Sequence, residues 1–212
     1  MEHNSKSGLY FSNKFARIYL LAFEEVIGKN DFDKLLELAG LSNLKDDYPV
    51  DDLDRVFDFA DISSLYQALE EMVGSRGSRG FAQRVGRILF TNHLKNFGAL
   101  AGLNDPDFKI LPLDFRVNLA LVAASRIFSK MTDQHTTIIE KEGEYIWVTH
   151  NCPNCWGRRG LDKPVCFITV GLLQALLTSV SNGLEYRINE MKCQATGDES
   201  CEVVILKEAV PA

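Results

Sequence analysis

The sequence predicts an α+β fold, in which a helical N-terminal part is followed by a ββαββ unit with an antiparallel sheet. Apolar residues recur with a helical period through most of the first 131 residues, and after Thr132 the period changes to the alternation of β-strands. A third observation concerns composition. All five cysteines lie in the last quarter of the chain, and the first 151 residues contain none.

The N-terminal part is predicted to consist of helices. Residues 12–27 have an apolar face at helical spacing, with Ser12 or Asn13 as N-cap and Gly28 at the end. Shorter apolar stripes predict helices at 31–39, 81–97 and 112–131. The tract GSRGSRG at residues 74–80 predicts a flexible connector before the helix at 81–97.

The C-terminal part reads as two hairpins around a buried helix. Strands at 136–141 and 144–149 flank a short turn, Glu142-Gly143. Residues 164–181 form a helix that is apolar on nearly all sides, with Pro164 in its first turn. Asn182-Gly183 then leads into strands at 184–192 and 201–207.

Composition narrows the class of protein. The chain has 212 residues, 46% of them hydrophobic, and a formal net charge of −6. An acidic balance argues against a nucleic-acid partner. The sequence shows no apolar run of the roughly 18 to 20 residues that a membrane span needs, and its first residues do not resemble a signal peptide. We therefore expect a soluble cytoplasmic protein with no membrane span.

A metal site is predicted around Glu190. This residue continues the apolar side of its strand, where a carboxylate costs several kcal/mol unless it is protonated, paired or bound to a metal. Cys193 follows three residues later, Cys201 opens the next strand, and Cys166 lies at the start of the buried helix. Cys166, Glu190, Cys193 and Cys201 together suit a closed structural Zn²⁺ site. The alternative is that the cysteines pack as small buried hydrophobic residues.

A second cysteine motif leaves several interpretations open. Cys152 and Cys155 follow His150 as His-x-Cys-x-x-Cys. The pair can bind zinc in place of Cys166, act as a dithiol, or pack in the core. A thioredoxin-like role is disfavoured because the motif follows a hairpin and a loop, not a strand that leads into a helix.

Three further residues are candidates for the lining of a ligand pocket. Trp147 lies on the first hairpin, Phe167 follows Cys166, and His93 lies on the apolar side of the helix at 81–97. Each of them is equally compatible with an ordinary core position.

Three segments of the chain resemble the 4-vinyl reductase domain family, also described as hydrocarbon-binding domains. They are CPNCWG at 152–157, PVCF at 164–167 followed by Gly171, and Glu190, Cys193 and Cys201 around an Ala-x-Gly-Asp core. The resemblance covers about residues 136–207. It implies the fold shared by the haem-nitric-oxide sensors and the TRAPP transport subunits.

The resemblance also implies a site. Relatives that serve as sensory domains of aromatic-responsive transcription activators bind phenol-like effectors in an interior pocket. Beside that pocket lies a zinc held by the residues that match Cys166, Glu190, Cys193 and Cys201. The interval from Cys166 to Glu190 is about one residue longer here, which leaves Cys152 or Cys155 as an alternative fourth ligand.

The resemblance divides the chain into a helical extension, residues 1–131, and a ligand- and zinc-binding region, residues 132–212, packed as one compact unit. The predicted function is a zinc-stabilised binding module for a small hydrophobic or aromatic molecule, acting as sensor or carrier. One alternative is reduction of the 8-vinyl group of a chlorophyll precursor, or a tetrapyrrole carrier in that pathway. Catalysis is less favoured because the sequence has no glycine fingerprint for a nicotinamide or flavin. Another alternative is a homodimeric protein-interaction adaptor.

Overall fold

The computed structural model describes residues 5–211, apart from the side chains of residues 96, 98, 99, 104 and 211. The helices are α1 (Asn13–Ile27), α2 (Lys29–Leu38), α3 (Phe59–Ile88), α4 (Pro106–Lys109), α5 (Leu113–Met131) and α6 (Phe167–Val180). The strands are β1 (Tyr10–Ser12), β2 (Arg55–Asp58), β3 (His135–Glu140), β4 (Glu144–His150), β5 (Leu184–Lys192) and β6 (Cys201–Pro211). The predicted α+β fold class is confirmed.

Helix α1 forms as its sequence predicts. The Ser12 hydroxyl accepts a hydrogen bond from the N–H of Phe15 at 3.4 Å, which caps the helix. Gly28 ends the helix with a φ of 83°, a backbone conformation that favours glycine. Phe15 and Phe23 are fully buried on the face that packs into the core.

The predicted connector at residues 74–80 is wrong. These residues are helical and belong to α3, which changes direction at Gly74, where φ is 72° and ψ is 162°. A glycine adopts this conformation without a steric penalty, so the chain turns at one residue and resumes the helix at once. The helix predicted at 81–97 is also shorter, because α3 ends at Ile88 and a π-helical turn follows at Leu89–His93.

The antiparallel ββαββ unit is present. Its sheet has the order β3-β4-β6-β5, and every neighbouring pair is antiparallel. One end of the prediction needs correction: α6 begins at Phe167, so Pro164 is not in its first turn. The N–H of Cys166 donates to Glu190 at 2.7 Å instead of entering the helix, which keeps Cys166 outside α6.

A small second sheet was not predicted. β1 pairs antiparallel with β2, although more than forty residues separate them. Asp58 ends β2 and caps α3, since its carboxylate accepts the N–H of Ala60 at 2.8 Å. This sheet joins the start of the chain to the start of α3.

Helices α3 and α6 cross in contact along their main chains. A Cβ added to Gly86 would lie 2.0 Å from the carbonyl oxygen of Ile168, and one added to Gly171 would lie 2.0 Å from that of Gln83. Only glycine fits at either position. The crossing places the N-terminal end of α6 against the helical part of the chain.

The two predicted regions, 1–131 and 132–212, contribute to one continuous core of buried apolar side chains. Their outer limits at residues 1–4 and 212 lie outside the described residues, and the division itself stays a prediction. Among residues 5–211, no helix is both long enough and apolar enough to cross a membrane.

Candidate metal centre

All five cysteines converge on one buried position. Cys152 and Cys155 lie on the turn after β4, and Cys166 lies just before α6. Cys193 follows β5, and Cys201 opens β6. All five are free thiols, and none is more than 3% exposed.

The sulfur atoms are close to one another. Cys152 Sγ lies 3.5 Å from Cys166 Sγ, and Cys155 Sγ lies 3.5 Å from Cys201 Sγ. Cys166 Sγ is 3.8 Å from the Sγ atoms of both Cys193 and Cys201, and Cys193 and Cys201 are 3.9 Å apart. Each sulfur therefore contacts at least one other. We call these residues the cysteine cluster.

Glu190 extends into the cysteine cluster from β5. It lies on the same side of the strand as buried Ile188, as the alternation of the sequence predicts. Its Oε2 accepts the N–H of Cys166 at 2.7 Å, whereas its Oε1 is buried and has no hydrogen-bond partner within residues 5–211. Burial, followed by the nearby Cys193, raises the pKa of Glu190 to about 9.

Two groups of four donors have the closeness that a metal ion requires. The predicted set, Cys166, Glu190, Cys193 and Cys201, offers donor atoms that all lie within 4.8 Å of one another. Cys152, Cys155, Cys166 and Cys201 meet the same limit. His150 belongs to neither group, is exposed, and faces His135 with ring centres 5.9 Å apart. The assignment of zinc to either set stays a prediction.

The thiols perturb one another's protonation. Contact with Cys152, together with the other cluster thiols, lowers the pKa of Cys155 and raises the pKa values of Cys166 and Cys201. A thiolate at Cys155 is stabilised by S–H groups around it, and those neighbours then hold their protons more tightly. Binding of a metal ion would release these protons.

Gln194 supports the cysteine cluster, and sequence reasoning missed it. Its side-chain Oε1 accepts the N–H of Cys152 at 2.8 Å, and its own N–H donates to Cys201 Sγ at 3.3 Å. It therefore ties the turn after β4 to the turn between β5 and β6. Its position beside Cys193 was the available signal, but spacing does not show which loop a glutamine contacts.

A small interior cavity borders the cysteine cluster. Its lining combines aromatic, amide, hydroxyl and apolar side chains with Cys152: Tyr19, Phe128, Gln134, Trp147, Thr149, Cys152, Pro153, Asn154, Thr169 and Leu172. About 10 Å³ is open to the centre of a water molecule, which is room for about one water.

Polar groups inside this cavity are few and mostly engaged. Trp147 Nε1–H donates to Thr149 Oγ1 at 3.0 Å, and Asn154 Nδ2–H donates to Thr169 Oγ1 at 3.1 Å. The Oδ1 of Asn154 is buried and accepts no hydrogen bond from the part of the chain that the structure describes. It is thus an available acceptor beside aromatic rings.

The three predicted pocket residues are not brought together. Trp147 is 1% exposed and lines the interior cavity. Phe167 instead lines an open groove with Lys163 and Glu190, and the guanidinium of Arg79 lies 4.7 Å from its ring centre. His93 lies on the π-helical turn after α3, outside this cavity. Burial lowers the pKa of His93.

Comparison with protein families identifies a domain. Residues 147–207 match the model of the 4-vinyl reductase domain family, which confirms the predicted resemblance. No curated protein matches the sequence significantly.

Solved structures show the same fold. The Fe(II) unliganded H-NOX protein from K. algicida is 12% identical, with a TM-score of 0.58 over 93% of this chain and 96% of that chain. An H-NOX protein from S. oneidensis in the Fe(II)NO ligation state is 15% identical, with a TM-score of 0.56 over 91% and 99%. These two likenesses confirm the predicted haem-nitric-oxide sensor-like fold. The phenol-responsive sensory domain of the transcription activator PoxR, with phenol, is 13% identical, with a TM-score of 0.49 over 72% and 77%.

Proposed function

Starting from a 4-vinyl reductase domain at residues 147–207 within an H-NOX-like fold, we propose that this chain is a zinc-stabilised binding module for a small hydrophobic or aromatic molecule. It acts as a sensor or carrier. The observation that carries the proposal is the interior cavity, where aromatic rings and one free amide acceptor meet beside Cys152. The S. oneidensis relative supports it, because that structure is of an Fe(II)NO ligation state.

The lining favours an aromatic ligand with one polar group. Phe128 and Trp147 pack edge to face with ring centres 5.8 Å apart, which gives one wall of the cavity an aromatic surface. Asn154 Oδ1 offers an acceptor for a hydroxyl or N–H of the ligand. Since the cavity has room for about one water, the lining side chains must move when a larger molecule binds.

The donors of the cysteine cluster fit zinc. Thiolates and a carboxylate are zinc ligands, and Glu190 Oε1 is a buried oxygen for which the rest of residues 5–211 offers no hydrogen-bond donor. Cys166, Glu190, Cys193 and Cys201 would hold the ion, which would cross-link the start of α6 to β5 and β6. With four protein ligands the site is closed, so its role is structural. Cys152 both contacts the cysteine cluster and lines the cavity, which connects the metal to the ligand site.

A ligand screen by thermal unfolding tests the proposal. Phenol, toluene, a medium-chain fatty acid and a tetrapyrrole are suitable probes. A probe at 100 times its Kd adds about 2.7 kcal/mol, which raises Tm by roughly 5–11 °C in a chain of this size. We expect phenol to raise Tm more than toluene, because Asn154 accepts its hydroxyl.

A matched pair of variants locates the binding site. Leu172→Phe fills the cavity and should abolish the shift in Tm, whereas Leu119→Phe on the exposed side of α5 should keep it. The Tm of Leu172→Phe without any probe shows whether that variant folds. If no probe shifts the wild-type Tm, the binding module is rejected.

A homodimer is a second candidate, supported by one exposed groove. Leu53 and Leu119 are 64% and 46% exposed, and both line this groove beside α5 with Phe97. We expect light scattering to give the mass of two chains, and Leu119→Glu to give one. Val210→Glu, at an exposed apolar residue outside this groove, is the control and should remain dimeric. A wild-type monomer contradicts the dimer. The cytoplasmic location and the reductase alternative stay predictions.

A further inference from the structure

The cysteine cluster offers more donors than one tetrahedral ion can use. Five thiols and the carboxylate of Glu190 are present, and a structural zinc ion takes four ligands. The six donors fall into two sets of four, and Cys166 and Cys201 belong to both. Cys152 and Cys155 complete one set, and Glu190 and Cys193 complete the other.

A single ion leaves two donors unused in either set. An ion in the set with Cys152 and Cys155 leaves Glu190 Oε1 buried without a partner among the residues described. An uncompensated buried carboxylate is costly. An ion in the set with Glu190 leaves Cys152 and Cys155, both at most 2% exposed, in contact with the bound thiolates.

The distances between sulfur atoms suit ions in both sets. With Zn–S bonds of about 2.3 Å, two thiolates of a zinc tetrahedron lie about 3.8 Å apart. The contacts within the set of Cys152 and Cys155 are 3.5 and 3.8 Å, and those within the set of Cys193 are 3.8 and 3.9 Å. Cys166 and Cys201 form the edge that the two tetrahedra share, at 3.8 Å.

We propose that the cysteine cluster binds two zinc-class divalent ions, bridged by the thiolates of Cys166 and Cys201. The proposal rests on the metal part of the proposed function and adds a second ion to it. Cys152 and Cys155 are the terminal ligands of one ion, and Glu190 and Cys193 are those of the other.

The charge balance permits the second ion. Three thiolates and one carboxylate around one zinc give −4 + 2 = −2, and five thiolates and one carboxylate around two zinc ions give −6 + 4 = −2. The second ion enters as Cys152 and Cys155 each release a proton. The buried site therefore carries no more net charge with two ions than with one.

Hydrogen bonds of the main chain hold both terminal pairs in place. Gln194 fixes the turn of Cys152 by accepting its N–H at 2.8 Å, and it donates its own N–H to Cys201 Sγ. Asp198 accepts the N–H of Cys193 at 2.9 Å, and Glu190 accepts that of Cys166. Such contacts orient the ligands before an ion binds, which favours metal affinity.

Metal content measures the number of ions directly. The full chain is stripped by a chelator under reducing conditions, reloaded with Zn²⁺, desalted and analysed by mass spectrometry of the elements. We expect two zinc ions per wild-type chain, one in Cys155→Ser and one in Glu190→Gln. Glu185→Gln, on the exposed side of the same strand, is the control and should keep two.

The other outcomes separate this proposal from the proposed function. One zinc in the wild type, kept in Cys155→Ser and lost in Glu190→Gln, rejects the second ion and leaves the zinc-stabilised module standing. One zinc with the reverse pattern rejects the second ion and moves the site to Cys152 and Cys155. No zinc in the wild type rejects both.

Cobalt tests the shared thiolates without any variant. Two Co²⁺ ions joined by bridging sulfur couple magnetically, so the electron paramagnetic resonance signal should grow with the first equivalent and fall with the second. A signal that grows in proportion to Co²⁺ through two equivalents shows separate ions and overturns the bridge.

Discussion

Asp58 and Glu190 both place carboxylate oxygens away from water, but their surroundings are opposite. Asp58 is 1% exposed and accepts the N–H groups of Ser7, Gly8 and Ala60 as well as the Ser7 hydroxyl, at 2.7 to 3.2 Å. Glu190 accepts one N–H, from Cys166, and its Oε1 has no donor within the described chain. The chain satisfies the first carboxylate by itself and leaves the second incomplete.

The two pKa values follow this difference. Burial alone would raise the pKa of Asp58, but the hydrogen bonds from Ser7, Ala60 and Gly8 outweigh it, so the pKa is lowered. Burial and Cys193 raise the pKa of Glu190. Asp58 is therefore a finished part of the structure, whereas Glu190 calls for a positive charge from outside the chain.

Removal of the metal should give the largest effect that sharpens this contrast. An ion present at about 1,000 times its Kd stabilises the fold by about 4.1 kcal/mol, so a chelator should lower Tm by roughly 8–16 °C. Calorimetry before and after chelation measures this shift. Readdition of Zn²⁺ should restore the original Tm. An unchanged Tm after complete removal means that Glu190 does not depend on a metal.

Removal of the Asp58 carboxylate should be the next largest effect. Asp58→Ala leaves several buried donors without an acceptor and removes the cap of α3, so we expect a loss of about 3 kcal/mol in the free energy of unfolding. Urea unfolding measures it. The metal content should stay at the wild-type value.

Asp105→Ala is the matched control for that loss. Asp105 also caps a helix, α4, by accepting the N–H of Asp107 at 2.9 Å, but it is exposed. We expect it to cost about 1 kcal/mol or less. Equal losses in the two variants would contradict the special role of Asp58.

Acid should give the smallest effect, and it acts through Asp58. Because its pKa in the folded state is lowered, ionised Asp58 adds stability above the unfolded pKa of about 3.9, and this contribution is lost as the pH falls through the folded value. The difference in unfolding free energy between wild type and Asp58→Asn should therefore shrink from pH 6 to pH 3. Metal-free protein is used for both, so that metal release does not contribute. A constant difference would contradict the lowered pKa.

Much of the cysteine-rich half could be predicted because its signals are local. Alternation along β5 placed Glu190 beside buried Ile188, and the turn before Cys201 brought that residue back to Cys193. The entry of Cys152 and Cys155 into the same cluster could not be derived. It depends on how the loop between β4 and α6 folds back, and on Gln194, which holds that loop.

The helical half shows where local signals fail. The glycines of residues 74–80 suggested a connector, yet neighbouring contacts keep this tract helical and only Gly74 departs from the helix. The pairing of β1 with β2 is set by contacts distant in sequence, for which three- and four-residue strands give no periodic signal. Phe167 and His93 were assigned to one pocket from residue type, and residue type does not determine which space a side chain faces.

The glycine contact between α3 and α6 gives the molecule a mechanical property. With Gly86 and Gly171 pressed against the opposite main chain, neither helix has room to slide or roll over the other. Cys166 lies directly before α6, so a displacement of this residue must either bend the loop at residues 151–165 or carry both helices with it. The crossing thus works as a rigid lever, and its longer arm is α3, whose other end lies at Asp58.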